Sequence, residues 1–220
     1  MTGLILKDFF VMKKTLRYYL LVMAVYSFMA FTGTFTYSIV SGFAVIMGCM
    51  APMSTFAYDE QAKWDKFAAS TPVGRKGVVK ARYLFSLILL LAGGVLAVVL
   101  SMVIVRFGKA EATVWWEPLL ITAVVCLVGL LLNCVILPVL FKFGAEKSRV
   151  VSLAIFGVTF GGMAALAWLA EDRRLDLSGL GNAISALPPA VLIAAPVVIV
   201  FALFWLSYRV SVGFYRKKEL

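Results

Sequence analysis

The sequence predicts an all-α membrane protein, with residues 1–220 forming one domain of six transmembrane helices. Hydrophobic residues make up 63% of the chain and charged residues 15%, against about 45–50% and 25% in soluble proteins. A soluble fold of this size could not bury so much apolar surface. The charges are confined to short segments, and they sum to a net charge of +10. These observations exclude a soluble enzyme and a free nucleic-acid-binding domain.

Five stretches of the chain carry no charged residue. The longest holds 41 residues, and the others hold between 21 and 24. A helix needs about 20 apolar residues to cross roughly 30 Å of hydrocarbon, so the longest stretch holds two spans and each other stretch holds one. The break in the longest stretch is expected at the polar, glycine-bearing patch 32–38. The predicted spans lie near 18–36, 38–57, 83–105, 118–141, 150–170 and 188–208.

The basic residues alternate from side to side along these spans. One side comprises 1–17, 58–82, 142–149 and 209–220, with net charges of +3, +3, +2 and +3, and the other side carries 0, 0 and −1. Cytoplasmic loops of membrane proteins are enriched in Lys and Arg. Both termini are therefore expected in the cytoplasm, and the chain is expected to be a multi-pass protein of the plasma membrane, in a bacterium the inner membrane.

The N-terminal residues 1–17 have the pattern of an amphipathic helix. Ile5, Phe9, Met12 and Leu16 fall on one side, while Lys7 points the other way. We expect an interfacial helix, whose basic side faces the lipid headgroups. The alternative is a simple cytoplasmic start to the first span.

Polar chemistry inside the spans is sparse. The spans contain no ionisable Asp, Glu, Lys, Arg or His, and the chain has no His at all. Such groups usually mark proton relays, ion pathways and catalytic sites in membranes. No catalytic, metal-binding or cofactor-binding residue is therefore predicted. Cys49, Cys126 and Cys134 lie in spans and are interpreted as small packing residues.

Three other features within the spans are candidates for packing or for a substrate path. Asn133 is the most polar residue deep in a span, and Pro138 is expected to kink the same helix. For both residues, contacts between helices and contact with a substrate stay open. Gly157 and Gly161 form a GxxxG pair, which favours close helix packing.

The segment 58–82 between spans two and three is the longest on the basic side. Asp59 and Glu60 are expected at the N-terminus of a short helix, where negative charge is favourable. Trp64 and Phe67 would then share a face of that helix. The segment is either a docking element for a partner or a solvated loop whose aromatic rings rest on the membrane interface. The phosphate-binding pattern GxxxxGK[ST] is absent from the sequence, so ATP chemistry is expected on another polypeptide.

The layout resembles the membrane subunits of ABC-2-type ABC transporters, in particular the small stand-alone permeases. The resemblance covers nearly the whole chain. Its most specific part is an acidic turn, a Trp-bearing helix, a Thr-Pro-Val turn and a basic start to span three, in residues Tyr58-Asp59-Glu60, Lys63-Trp64, Phe67, Thr71-Pro72-Val73 and Arg82-Tyr83.

The resemblance implies an exporter permease that couples ATP hydrolysis on a separate ABC ATPase to export of an apolar or amphipathic substrate. Two permease subunits would pair, as a homodimer or a heterodimer, and ATP and Mg would bind the ATPase. Residues 1–17 would be the connecting helix of the family. The helix after span two would be the coupling helix that contacts the ATPase, through Asp59, Glu60, Lys63, Trp64 and Phe67.

Two other functions were considered from the sequence. A six-span capture subunit for a vitamin-like ligand would have a similar size, but it would not need the long charged segment after span two. A membrane enzyme is disfavoured, since the spans hold neither His nor paired carboxylates for acid–base chemistry. The exporter permease is therefore the leading prediction, and no nucleic-acid partner is expected.

Overall fold

The computed structural model describes residues 2–64, 67–68, 74–108, 116–171 and 189–217. The helices in these ranges are α1 (Thr2–Phe31), α2 (Ser38–Gln61), α3 (Gly74–Phe107), α4 (Glu117–Glu171) and α5 (Pro189–Lys217). The all-α class is thus confirmed. Four helical stretches are long and apolar enough to cross a membrane, namely α2, α3, 117–162 of α4 and 194–217 of α5.

Helix α1 joins the predicted interfacial helix and the first predicted span without a break. It ends at Phe31, where Gly33 has a φ of 84° and the amides of Gly33 and Thr34 donate to Ala30 and Met29. This is a Schellman C-cap, which needs a left-handed residue. The uncharged part of α1, residues 18–31, is 14 residues long, or about 21 Å, which is shorter than roughly 30 Å of hydrocarbon.

The apolar side of residues 1–17 packs mainly against protein. Met12 is fully buried in a cluster with Ala51 of α2 and Phe85 of α3, and Leu16 packs against that cluster. Phe9, in contrast, is half exposed. An interfacial position for this helix stays a prediction. In the structure, α2 and α3 cover much of its apolar side.

Helix α2 continues past the predicted end of span two. The expectation that Asp59 and Glu60 begin a new helix is wrong, because both lie in the last turn of α2. No residue between 56 and 61 breaks a helix, so the helix runs on to Gln61, just before Lys63, whose φ is 49°. The two carboxylates therefore lie at the negative end of a helix dipole, where they need compensating partners.

Helix α4 contains two of the predicted spans, in arms that meet at Gly144. The arms are separated by Gly144, whose φ and ψ of 78° and −179° are not helical, whereas Pro138 lies inside the first arm, where a kink stays a prediction. Pro138 lacks an N–H and so frees the carbonyl of Cys134, which accepts a hydrogen bond of 2.7 Å from Ser207 Oγ of α5. This outside donor lets the helix continue through the proline.

Helices α1, α3 and α4 pack against α2, whereas α5 packs against α3 and α4. In the most apolar 18-residue stretch of α2, 61% of the residues are buried, against 17% in that of α5. Contact between α2 and α3 is close at Gly48, where an added Cβ would lie 2.6 Å from a methyl of Leu90. Small residues of this kind let membrane helices approach one another. Helices α1 and α3 begin, α2 and α5 end, and α4 bends at the same end of the bundle. We call this end the basic end.

Candidate functional site

The last turn of α2 lies at the basic end and contacts three other helices. Asp59 and Glu60 are adjacent in this turn, but their side chains have different partners. Asp59 contacts α1 and α3, and Glu60 contacts the kink of α4. The predicted coupling residues therefore begin at the end of α2, the most buried of the four candidate spans, rather than on a separate helix.

A charge cluster of Lys7, Asp8, Asp59 and Arg82 joins α1, α2 and α3. Lys7 Nζ lies 2.7 and 2.9 Å from the two carboxylate oxygens of Asp59 and 3.2 Å from Asp8 Oδ1. Arg82 donates from Nη2 to Asp59 Oδ2, and its Nη1 lies 3.0 Å from Asp8 Oδ2. Two carboxylates and two cations thus neutralise one another.

The charge cluster is almost closed to solvent. Asp8 is 3% exposed, Arg82 4% and Asp59 8%. Burial raises the pKa of the Asp8 carboxyl, while Arg82 and Lys7 act in the opposite direction. Since buried charges are costly without partners, this cluster holds the start of α1 and the start of α3 against the end of α2. Asp59 is therefore committed to contacts inside the chain.

The aromatic pair of Trp64 and Phe67 follows α2 directly. Their ring centroids are 4.9 Å apart, and Lys7 Nζ lies 4.4 Å from the centre of the Trp64 ring. Trp64 packs against the main core, in which Ala68 is fully buried, whereas Phe67 is 59% exposed. Lys63 is exposed beside them. The segment is thus anchored through Trp64 and Ala68 and presents Phe67 outward; residues 65–66 and 69–73 of the predicted segment lie outside the described ranges.

Glu60 caps the second arm of α4. Its Oε1 accepts a hydrogen bond of 2.8 Å from the amide of Ala145, the first residue after the kink. Gly144 is required here for two reasons: its φ is positive, and a Cβ would collide with Glu60 Oε1. A carboxylate at the N-terminus of a helix is favourable. A shift of the last turn of α2 would therefore act directly on the second arm of α4.

A cavity of about 670 Å³ lies beside this cap, between α1, α2 and the second arm of α4. Glu60 and Gln61 line it from α2, and Glu146, Arg149 and Ser152 line it from α4. The end of α2, where the coupling residues were predicted to begin, thus forms part of the cavity wall.

Asn133 and Pro138, the residues predicted for a substrate path, do not line this cavity. Asn133 is fully buried, and its Nδ2 donates to the carbonyl of Gly129 in its own helix at 3.2 Å. The carbonyl freed by Pro138 binds Ser207, which also contacts the Tyr83 hydroxyl at 2.7 Å. In this structure the two residues thus contribute to helix geometry and to contacts between α3, α4 and α5.

Several of these site residues were missed by sequence reasoning. Arg82 was interpreted as the basic start of a span, and Lys7 as a headgroup contact. The available signal was Asp8, the single acidic residue among the four basic residues of 1–17. Among the described residues, no group of three or more His, Cys, Asp and Glu side chains is placed to hold a metal ion.

Comparison with known protein families gave a match over nearly the whole chain. The model of a family described as "ABC-2 family transporter protein" matches residues 3–216. No curated protein matches the chain, and no solved structure matches it.

Proposed function

The chain belongs to the ABC-2 transporter family, and on that premise we propose that it is the permease of an ATP-driven exporter. A multi-pass membrane component of an ABC transporter follows from the family and from the apolar helices. Proteins of this family normally work with an ABC ATPase. Export, the ATPase contact and the substrate are the parts proposed here. The chain would not itself hydrolyse ATP.

The ATPase would dock at the basic end, on the segment that follows α2. The observation that carries this proposal is the aromatic pair: Phe67 is 59% exposed on a segment that is anchored to the core by Trp64 and Ala68. Aromatic residues, Phe among them, are enriched at protein interfaces. The distribution of Lys and Arg supports a cytoplasmic position for this end, where the ATPase would be.

Two partly buried contacts would carry movement from the ATPase into the bundle. The charge cluster ties the docking segment to α1 and α3, since Lys7 contacts both Asp59 and Trp64. Glu60 ties the same turn to the second arm of α4. In this proposal Asp59 and Glu60 transmit the movement inside the permease, and Phe67 makes the contact.

A second permease subunit would cover the second arm of α4. Val150 and Val158 on this arm are 70% and 76% exposed. A Cβ built at Gly157 or at Gly161 meets no atom within 4 Å. Apolar exposure with small residues suits a helix that packs against a second copy or a related permease in the membrane.

The docking proposal is tested by Phe67→Ala. The variant and the parent chain are purified from their native membrane in a mild detergent, and the co-purifying ATPase activity is measured per permease. We expect Phe67→Ala to lower this activity about tenfold, as truncation of an interface aromatic does. The matched control is Phe107→Ala, which truncates a 73% exposed Phe at the end of α3 far from the basic end. Equal activity in the two variants would refute the docking assignment.

A further inference from the structure

The cavity at the basic end has the size and the walls of a small-molecule site. Its volume of about 670 Å³ lies in the usual range for such sites, roughly 300–1,000 Å³. Met50 and Met53 of α2 and Leu153 and Phe156 of α4 form an apolar wall. Methionine side chains are flexible and polarizable, so this wall can adapt to apolar groups of different shapes.

Three of the described residues that line the cavity are charged. They are Glu60, Glu146 and Arg149, which gives two carboxylates against one guanidinium. Neither Glu146 nor Arg149 forms an ion pair within the described part of the chain. An excess of negative charge is unexpected in a chain with a net charge of +10, and it favours a cation over an anion.

Ser152 provides an independent sign of a ligand. It lines the cavity and is 1% exposed, and its Oγ has no hydrogen-bond partner among the described residues. A buried hydroxyl without a partner is unfavourable. It lies one helical turn beyond Arg149, between the charged part of the cavity and the apolar wall, where a polar headgroup could satisfy it.

We propose that this cavity binds an amphiphile with a cationic amine headgroup. The apolar body lies among Met50, Met53 and Phe156, the ammonium group lies near the Glu60 and Glu146 carboxylates, and Ser152 accepts a hydrogen bond from the amine. The cavity thus supplies a chemical class for the substrate of the proposed exporter. The role of this ligand as an exported substrate rests on the proposed function, whereas its binding to the chain does not.

The test compares two probes that share one alkyl chain, dodecylamine and dodecanoic acid. Radiolabelled probe is dialysed at neutral pH against the purified chain in neutral maltoside micelles, with empty micelles as the blank. We expect saturable binding of the amine, with dodecanoic acid binding at least about tenfold more weakly because its carboxylate meets the Glu60 and Glu146 carboxylates. Equal binding of the two probes would overturn the proposal.

Variants locate the binding within the cavity. Glu146→Gln should weaken amine binding on the order of fivefold to tenfold, and Arg149→Gln should tighten it, because the two side chains have opposite charges. Ser152→Ala should weaken it a few-fold. Ser101→Ala is the matched control, since Ser101 is also buried with no hydrogen-bond partner among the described residues but does not line the cavity.

Two results would contradict the site. One is amine binding that responds to Glu146→Gln no more than to Ser101→Ala. The other is a well-folded Arg149→Gln variant that binds the amine no more tightly than the parent chain. This second variant keeps the test decisive if the Glu146 variant does not fold. Because no ATPase or nucleotide is present, failure here leaves the docking role of Phe67 standing, and loss of docking leaves this binding unchanged.

Discussion

Asp59 and Glu60 are adjacent in the last turn of α2, and a comparison of their surroundings separates two kinds of charged site. Asp59 belongs to the charge cluster, where two carboxylates and Arg82 are buried and Lys7 is partly buried. Glu60 belongs to the cavity wall, where it caps the second arm of α4 and faces a space about 670 Å³ in volume. The first site is neutral and closed, and the second carries unpaired charge and is open.

The difference shows that residue type does not decide the role of a charge in a membrane protein. In the charge cluster every charge has an opposite partner, so the cluster stabilises one arrangement of α1, α2 and α3. At the cavity, Glu146 and Arg149 lack such partners within the described chain, which leaves charge available for a ligand. The same helix turn can therefore hold the bundle together on one side and bind on the other.

The largest effect is expected from Arg82→Gln in the charge cluster. Among the described residues, the substitution leaves Lys7 as the one cation paired with the buried Asp8 and Asp59. Breaking a buried ion pair costs about 3–5 kcal/mol. The free energy of unfolding, measured by denaturation in mixed micelles, should fall by that amount. Lys80→Gln is the control, because Lys80 lies two residues earlier on α3 and is exposed. Equal stability of the two variants would show that the cluster does not hold the helices.

Gly144→Ala should have the next largest effect, on the Glu60 side of the turn. The φ and ψ of 78° and −179° belong to a region that only glycine adopts readily, so a Cβ costs about 1–3 kcal/mol and also displaces Glu60. The unfolding free energy should fall accordingly. Gly213→Ala serves as the control, since Gly213 is helical with open space around it, and its replacement should be neutral or stabilising. If both substitutions behave alike, the kink does not depend on glycine.

Much of the fold was predictable from the sequence because it depends on local pattern. The charge-free stretches predicted where the apolar helices lie. Gly33 belongs to the polar patch 32–38, where a break was expected, and it follows the end of α1. The end of α2 was misplaced, because no local breaker marks Asp59 and the turn depends on the left-handed Lys63. The break at Gly144 was not predicted, because the Glu60 carboxylate that accepts a hydrogen bond from the following amide is distant in sequence.

The site was predictable only in part, because it is built from contacts between distant residues. The aromatic pair follows from the spacing of Trp64 and Phe67. The contact between Lys7 and Asp59 joins residues 52 positions apart, and that between Glu60 and Ala145 joins residues 85 apart. Such pairs are set by how the helices pack, which periodicity does not report.

The smallest effect is expected from Glu60→Ala. Loss of the cap should destabilise the second arm of α4 by about 0.5–2 kcal/mol, as for other N-caps, and Glu60→Gln should lose less because its amide oxygen can still accept. Hydrogen exchange of the amides just after Gly144 reports this local opening. Gln61→Ala, in the same turn but exposed, should leave that exchange unchanged. Unchanged exchange in Glu60→Ala would remove the link between α2 and α4.

The central claim is that an ABC ATPase docks on the segment after α2, and photo-crosslinking at position 67 tests it most directly. A benzoyl-phenylalanine replaces Phe67 in one version of the chain and Phe107 in the other; the parent side chains are 59% and 73% exposed at distant ends of the bundle. The account predicts a covalent adduct between the permease and an ABC ATPase from position 67 and none from position 107. Adducts of equal yield from both positions, or an ATPase adduct from position 107 alone, would contradict it.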